Sequence, residues 1–196
     1  GQVCVSVQRV YVPEDMATAL AQAIADKASK LKVGNAILAD TECGPLVNPN
    51  EVKRVEHWVN EAVMGGAQVL CGGRALGETT YAPSVLLNPP LKAKVSTQEV
   101  FGPVVCVYGT ESLTEAIVQA NSLPVAFQAA VFTQKLKVAL RCVRELDATA
   151  VMVNDHTAFR VDWMPFAGRR HSGYGVGGIG YTMHDMTQEK MAIIKL

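Results

Sequence analysis

Short apolar runs alternating with segments of helical periodicity predict an α/β fold for this 196-residue chain: a largely parallel twisted sheet flanked by helices, closed by a C-terminal strand. Two further observations support that class. Gly, Pro and Asn punctuate the chain between the periodic segments, as turns and helix ends require. Hydrophobic residues make up 49% of positions and charged residues 18%, enough for one sizeable core and too little chain for two ordinary domains, so residues 1–196 are expected to form a single domain.

The elements follow in order. Gly1 to Val12 reads as a β-rich run. Pro13-Glu14-Asp15 suits a first helical turn, and Met16, Leu20, Ala23, Ile24, Ala28 and Leu31 recur at helical spacing up to a stop at Gly34. Asn48-Pro49-Asn50-Glu51 opens a second helix with Val52, Val55, Val59, Ala62 and Val63 on one face, ended by Gly65-Gly66. Ala67 to Cys71 reads as a short buried strand, and Tyr81 to Leu87 and Val104 to Tyr108 as further strands. The long Pro-containing connection from Asn88 to Pro103 has the length of a functional loop. Ser112-Leu113-Thr114-Glu115 matches a capping box that starts a helix to about Asn121. Gln128 to Thr133, Gln134 to Leu146 and Ala148 to Asn154 then read as strand, helix and strand. A loop rich in Gly, Arg, His and Ser runs from Asp155 to about Gly180, and Met191 to Leu196 resumes as the closing strand.

Eighteen basic residues balance eighteen acidic ones, and the longest basic cluster is Arg169-Arg170-His171, so there is no electrostatic footprint for nucleic acid. No apolar run reaches the roughly 18 residues of a membrane span, and no membrane association is expected. The five cysteines, Cys4, Cys43, Cys71, Cys106 and Cys142, show no C-x-x-C pair, which points to reduced thiols in a cytoplasmic protein rather than a zinc site or disulfide framework. The four histidines show no metal spacing, and no metal is expected.

Cys43, Cys71, Cys106 and Cys142 read as small buried hydrophobes. Cys4 has different neighbours: Gly1 permits an unusual turn, Gln2 brings a polar side chain, and main-chain amides there could face an oxyanion formed by attack of sulfur on a carbonyl. The residues alone leave both readings of Cys4 open. Glu99, two positions before Phe101, could hold a ribose diol beside a flat ring, or be an exposed acid next to a buried aromatic. Arg160 and Asp162 flank Val161 and could form a surface ion pair. G-x-G-x-x-G occurs twice, from Gly173 and from Gly175, but no strand pattern precedes it and no acid follows at about 20 residues, so it reads as a glycine-rich loop rather than a dinucleotide fingerprint.

Five segments in order resemble the aldehyde dehydrogenase superfamily: Gly1-Gln2-Val3-Cys4, Glu99-Val100-Phe101-Gly102-Pro103, Asn121 to Thr133 with its Ala-Ala-Val-Phe-Thr ending, Val153-Asn154, and Pro165-Phe166-Ala167-Gly168 followed by Ser172-Gly173. The resemblance runs the length of the chain and implies the cysteine-bearing catalytic domain, the C-terminal part of a longer enzyme using NAD or NADP. By that resemblance Cys4 would attack a small aldehyde or semialdehyde to give a thiohemiacetal and then a thioester released by water. Glu99 would hold the nicotinamide ribose, with Phe101 packing beside it. Val3, Val5, Phe159, Arg160 and Phe166 would line the substrate site, with Asn154 a structural support nearby. The family's dinucleotide-binding domain, oxyanion asparagine and glutamate base precede the cysteine and are not in these 196 residues, so the fragment by itself is expected to be inactive. The family's assemblies imply a homo-oligomer, a dimer or tetramer when complete. Two departures stand out: Ala167 replaces a family glycine, and Val125-Ala126-Phe127 replaces Tyr-Gly-Leu.

Arg160 suggests an aldehyde with an anionic tail, since a guanidinium pairs with a carboxylate or phosphate. Two rival readings are a coenzyme A-acylating semialdehyde dehydrogenase and a non-catalytic oligomerisation or interaction fragment offering strand edges.

Overall fold

In the computed structural model, which describes residues 1–196, the chain divides into two units, Gly1–Ala120 and Asn121–Leu196. The elements of the first are β1 (Arg9–Pro13), α1 (Glu14–Ala28), α2 (Pro49–Met64), β2 (Gln68–Cys71), β3 (Ser84–Leu87), α3 (Lys94–Thr97), β4 (Val104–Thr110) and α4 (Leu113–Ala120). Its sheet has the order β1-β4-β3-β2, parallel across β1-β4 and β4-β3 and antiparallel at β2. The expected α/β class with a largely parallel sheet is therefore the observed one.

Both faces of this sheet are covered, which explains why β3 and β4 are apolar throughout rather than alternating. Val85, Leu87 and Val107 pack against Ala17, Ala21 and Ala25 of α1. Leu86, Val104, Cys106 and Tyr108 pack against Val52, Val55, Val59 and Ala62 of α2, with Val95 and Val100 from the β3–β4 connection filling the same core.

The buried stripe of α1 differs from the one expected. Ala17, Ala21 and Ala25 face the sheet while Met16 is 54% exposed. Small residues win because the helix lies close to β4: a Cβ on Gly109 would stand 3.2 Å from Glu14 Cα and 3.4 Å from Ala17 Cβ. The helix ends at Ala28, six residues before Gly34, where the Ser29 N–H caps the Ala25 carbonyl. In α2 the Asn48 side chain accepts from the Asn50 and Glu51 amides, as its sequence signature requires, but Val63 points outward. β2 is a half-exposed edge strand and not a buried one, since only β3 pairs with it. Ser112 accepts from the Glu115 amide at 3.2 Å at the start of α4, while the Glu115 carboxylate reaches the Glu111 amide at 2.7 Å, one residue further back than a reciprocal capping box. Arg9 closes the other end of α4 through the Gln119 and Ala120 carbonyls.

The second unit holds β5 (Val125–Ala126), β6 (Gln128–Val131), α5 (Leu136–Glu145), β7 (Ala150–Val153), β8 (Arg169–Arg170) and α6 (Ile179–Asp185). β6 and β7 are parallel, and β5 and β8 antiparallel. The short helix α6 was not expected. The closing strand expected at Met191 to Leu196 is not formed: residues 187–196 are exposed and pair with no strand, and apolar character without a partner ladder does not make a strand. No helix is long and apolar enough to cross a membrane.

Candidate active site

The first eight residues are not strand, as the opening run suggested, but a turn leading into β1. Gly1 lies directly on the Gly102-Pro103 backbone, where a Cβ would come within 2.0 Å of the Gly102 oxygen. The Gln2 side-chain oxygen accepts from the Val47 amide at 3.0 Å. The Ser6 amide then closes a turn on the Val3 carbonyl at 3.0 Å, which leaves Cys4 exposed at its tip. Gly1, Val3, Cys4, Ser6, Val7 and Gln8 share a narrow cleft of about 20 Å³ with Glu99, Phe101, Gly102 and Val104. Residues 95 positions apart in sequence, Cys4 and Glu99, thus line one cleft within the first unit.

On its far wall, Val100 is buried while Glu99 and Phe101 on either side are exposed, and Phe101 has a left-handed backbone, φ 48°. That conformation is costly for a bulky residue and persists only where the surroundings impose it. Here they do: the Val100 amide donates to the Gln8 side-chain oxygen at 2.8 Å, and the Val100 carbonyl accepts from Arg54 at 2.6 Å.

The five thiols differ in chemical character. Burial pushes the Cys106 thiol up to about 12, and burial also raises Cys71 and Cys142. Those three are held in the protonated, unreactive form. Cys4 has an exposed thiol on the cleft.

In the second unit Phe166 is enclosed on two sides. The Arg160 guanidinium lies 4.7 Å from its ring centroid, and the Phe127 ring meets it edge-on at 4.9 Å. Arg160 thus lies over Phe166, and no ion pair joins it to Asp162. Phe159 is exposed beside Arg160 in sequence, its amide bonded to the His156 carbonyl. Asn154 has φ 58° and spans Thr133 with both ends of its amide, accepting from the Thr133 N–H at 2.8 Å and donating to its C=O at 2.9 Å. It ties the ends of β6 and β7 together. Ala167 does not take the left-handed conformation a glycine there would allow. Gly168 is the position that needs to be bare: a Cβ would sit 2.7 Å from Ser172.

The glycine-rich segment carries left-handed φ values at Gly173, Gly175 and Gly178 and leads into α6, but the strand just before it, β8, is two residues long and antiparallel to β5, unlike the parallel strand of a dinucleotide fingerprint. A broad hollow of about 570 Å³ lies against α6, lined by Val176, Tyr181, Met183 and His184 among others. Its polar lining residues are Tyr181, His184 and Asp185. Gln8, Arg54 and Phe127 were not singled out as site residues from the sequence. A polar Gln four residues after the candidate nucleophile, between Val7 and Arg9 at the start of a strand, was the one available signal for the first.

The model of the aldehyde dehydrogenase family matches residues 1–192. The 3-sulfolactaldehyde dehydrogenase of Priestia aryabhattai is 40% identical over 196 residues, covering 100% of this chain and 41% of the relative. Aldehyde dehydrogenase 21 from Physcomitrella patens, solved in complex with the reaction product succinate, superposes with a TM-score of 0.90 at 34% identity, over 94% of this chain and 38% of that one. Glyceraldehyde-3-phosphate dehydrogenase from Methanocaldococcus jannaschii, complexed with NADP, gives a TM-score of 0.89 at 32% identity, over 94% and 40%. The chain spans about two fifths of the length of these relatives. With a family model that matches residues 1–192, this chain belongs to the aldehyde dehydrogenase family.

Proposed function

We propose that this chain is the cysteine-bearing, C-terminal catalytic part of an NAD(P)-dependent aldehyde dehydrogenase, and that Cys4 is its nucleophile. The observation that carries the reading is the exposed thiol on a turn tip, sharing a cleft with Glu99 and Phe101.

Cys4 Sγ attacks the aldehyde carbon, and the carbonyl oxygen becomes the alkoxide of a thiohemiacetal, with the Cys4 main-chain N–H as one donor to it. A bound nicotinamide supplies the acceptor for the hydride that leaves this carbon. The product on sulfur is a thioester. Water adds to it, the C–S bond breaks, and the acid leaves with Cys4 regenerated. The residues present fit such a cofactor: the exposed Glu99 carboxylate has acceptors for two ribose hydroxyls, and Phe101 presents a partly open flat ring two positions away. Val3 and Val5 flank the nucleophile and form the apolar surroundings of the substrate.

Arg160 is assigned to an anionic tail on the substrate. Its guanidinium lies over the Phe166 ring on an exposed side chain, and a guanidinium offers paired donors to a planar or tetrahedral anion. Three of the relatives carry such a group by name, a sulfonate, a succinate product and a phosphate, whereas the lactaldehyde dehydrogenases among them do not. Phe159 and Phe166 are assigned contacts with the substrate, and Asn154 a structural role through its two bonds to Thr133. The same reading carries a homo-oligomer and a reducing, cytoplasmic setting, in keeping with five unpaired cysteines.

The test uses the full-length protein with an anionic and a neutral aldehyde of matched length, succinic semialdehyde and butanal. Cys4→Ser should abolish NAD(P)H formation with both. Arg160→Leu should raise KM for the anion roughly 10- to 100-fold, the value of a charge-assisted hydrogen bond, while sparing butanal. Turnover surviving in Cys4→Ser would remove the nucleophile assignment, and equal KM effects on both aldehydes would remove the assignment of Arg160.

A further inference from the structure

We propose that Gln8 and Arg54 are positioning residues that aim Glu99 and Phe101 at the cofactor by gripping the two peptide planes that meet at Val100. The proposal rests on the reading above, in which Glu99 and Phe101 meet NAD(P).

The Val100 N–H belongs to the peptide plane shared with Glu99, and the Val100 C=O to the plane shared with Phe101. Gln8 fixes the first plane, accepting from the Val100 amide at 2.8 Å. Arg54 fixes the second, donating to the Val100 carbonyl at 2.6 Å. With both planes held, the directions in which the Glu99 and Phe101 side chains leave the backbone are set. The left-handed φ of 48° at Phe101 is the visible consequence, since a phenylalanine in free loop would not hold it.

Each grip is itself braced. The Gln8 side-chain nitrogen donates to the Val95 carbonyl at 2.8 Å and the Gln98 carbonyl at 2.7 Å, so the amide uses both its ends on one loop. The Gln8 main-chain oxygen accepts from the Cys106 amide at 2.8 Å, which fastens it to β4. Arg54 is held on α2 by Glu51, whose carboxylate oxygen takes Nε at 2.8 Å and Nη2 at 2.6 Å, and by Trp58, whose ring centroid lies 4.5 Å away. Gln8 is also only four residues from Cys4 and on the same cleft. Gln8 therefore ties the loop that carries Glu99 and Phe101 to β4. Arg54 references that loop to the core helix.

The experiment places Gln8→Ala, Gln8→Met, Gln8→Glu, Arg54→Met and Arg54→Lys in the full-length protein and reads KM for NAD(P), KM for aldehyde, and hydrogen exchange at the Val100 amide. Gln8→Ala and Arg54→Met should each raise the cofactor KM about tenfold, leave the aldehyde KM within twofold, and speed Val100 exchange at least tenfold. Arg54→Lys keeps one donor for the Val100 carbonyl and should recover most of the loss. Gln8→Met, of similar length but without the acceptor for the Val100 amide, should behave like Gln8→Ala and decides the case if the alanine variant fails to fold, whereas Gln8→Glu keeps that acceptor and should leave Val100 exchange within a few fold. A merely structural role would move both KM values together or neither, and that result overturns the proposal. If the unmodified protein neither binds NAD(P) nor oxidises aldehydes, the functional reading fails by itself. Val100 exchange then still judges the grip: rates unchanged in Gln8→Met and Arg54→Met would overturn it.

Discussion

Gly102 sits between the strained Phe101 and Pro103 at the floor of the cleft, and substituting it should damage stability through one named contact. A Cβ there would stand 2.9 Å from Val55 Cγ2 and 3.7 Å from Val55 Cγ1 and Val100 Cγ1. Carbon atoms pack best at about 3.5–4.0 Å, so one side must yield by at least about 0.6 Å. Gly102 does not have a left-handed φ, so Gly102→Ala adds no backbone strain and its cost is steric. Val55 is fully buried in the α2 core, which limits how far it can move. Overpacking of this kind costs about 1–3 kcal/mol. Val55→Ala alone removes two buried methyl groups and should cost about 2 kcal/mol. It also removes both Val55 atoms that the new methyl meets, so the double variant should lose about 2 kcal/mol rather than the sum of about 4. Urea unfolding of the four proteins, with coincident m values, supplies the cycle. Strict additivity would refute the argument, because it would mean that the two positions do not touch in solution as they do here.

Two further outcomes follow from side chains with clear environments. Burial raises Cys106 to about 12 and also raises Tyr11, Tyr81 and Tyr108, so between the unfolded thiol value of about 9 and the folded values the native state holds protons that the unfolded chain has released. Stability should be level up to about pH 8 and fall steadily above it, seen as a lower urea midpoint at pH 10.5 than at pH 7.5; an unchanged or higher midpoint would contradict the burial of these groups. Asn154→Gly keeps the left-handed backbone but loses both bonds to Thr133, whereas Asn154→Ala loses the bonds and adds strain. Alanine should therefore be the more destabilising by roughly 1 kcal/mol in thermal or urea unfolding, and equal losses would show that φ at 154 relaxes freely.

How far the fold was legible depended on whether a pattern was set locally. Asn48 announces α2 because its capping bonds are made within three residues, and Val52, Val55, Val59 and Ala62 recur on the face that is in fact buried. The face of α1 was misread because hydrophobicity ranks Met16 and Leu20 above Ala17 and Ala21, while the actual choice was made by the closeness of Gly109 on β4, a residue about 90 positions away. The same limit applies to Met191–Leu196. Its composition suits a strand, but a strand is defined by its neighbour, and none pairs with it here.

The site divides in the same way. Cys4, Glu99 and Phe101, which residue type and motif spacing single out, line one cleft. The two residues that hold Val100 were not legible, because a Gln near a strand start and an Arg on a helix look like ordinary surface choices until the loop from residue 95 to 100 folds over them. The departures tell a related story. Phe127, standing where the family's Tyr-Gly-Leu has leucine, puts a ring edge against Phe166, whose ring also carries Arg160. Ala167 is tolerated because its backbone asks nothing that glycine alone can give, while Gly168, one position on, has Ser172 at 2.7 Å from any added Cβ. Of two adjacent family glycines only the second is demanded by contact, so Ala167→Gly should be nearly neutral and Gly168→Ala should cost as much as any overpacked core site. The distinction is one of distance to the Ser172 backbone, and a motif read as letters does not contain it.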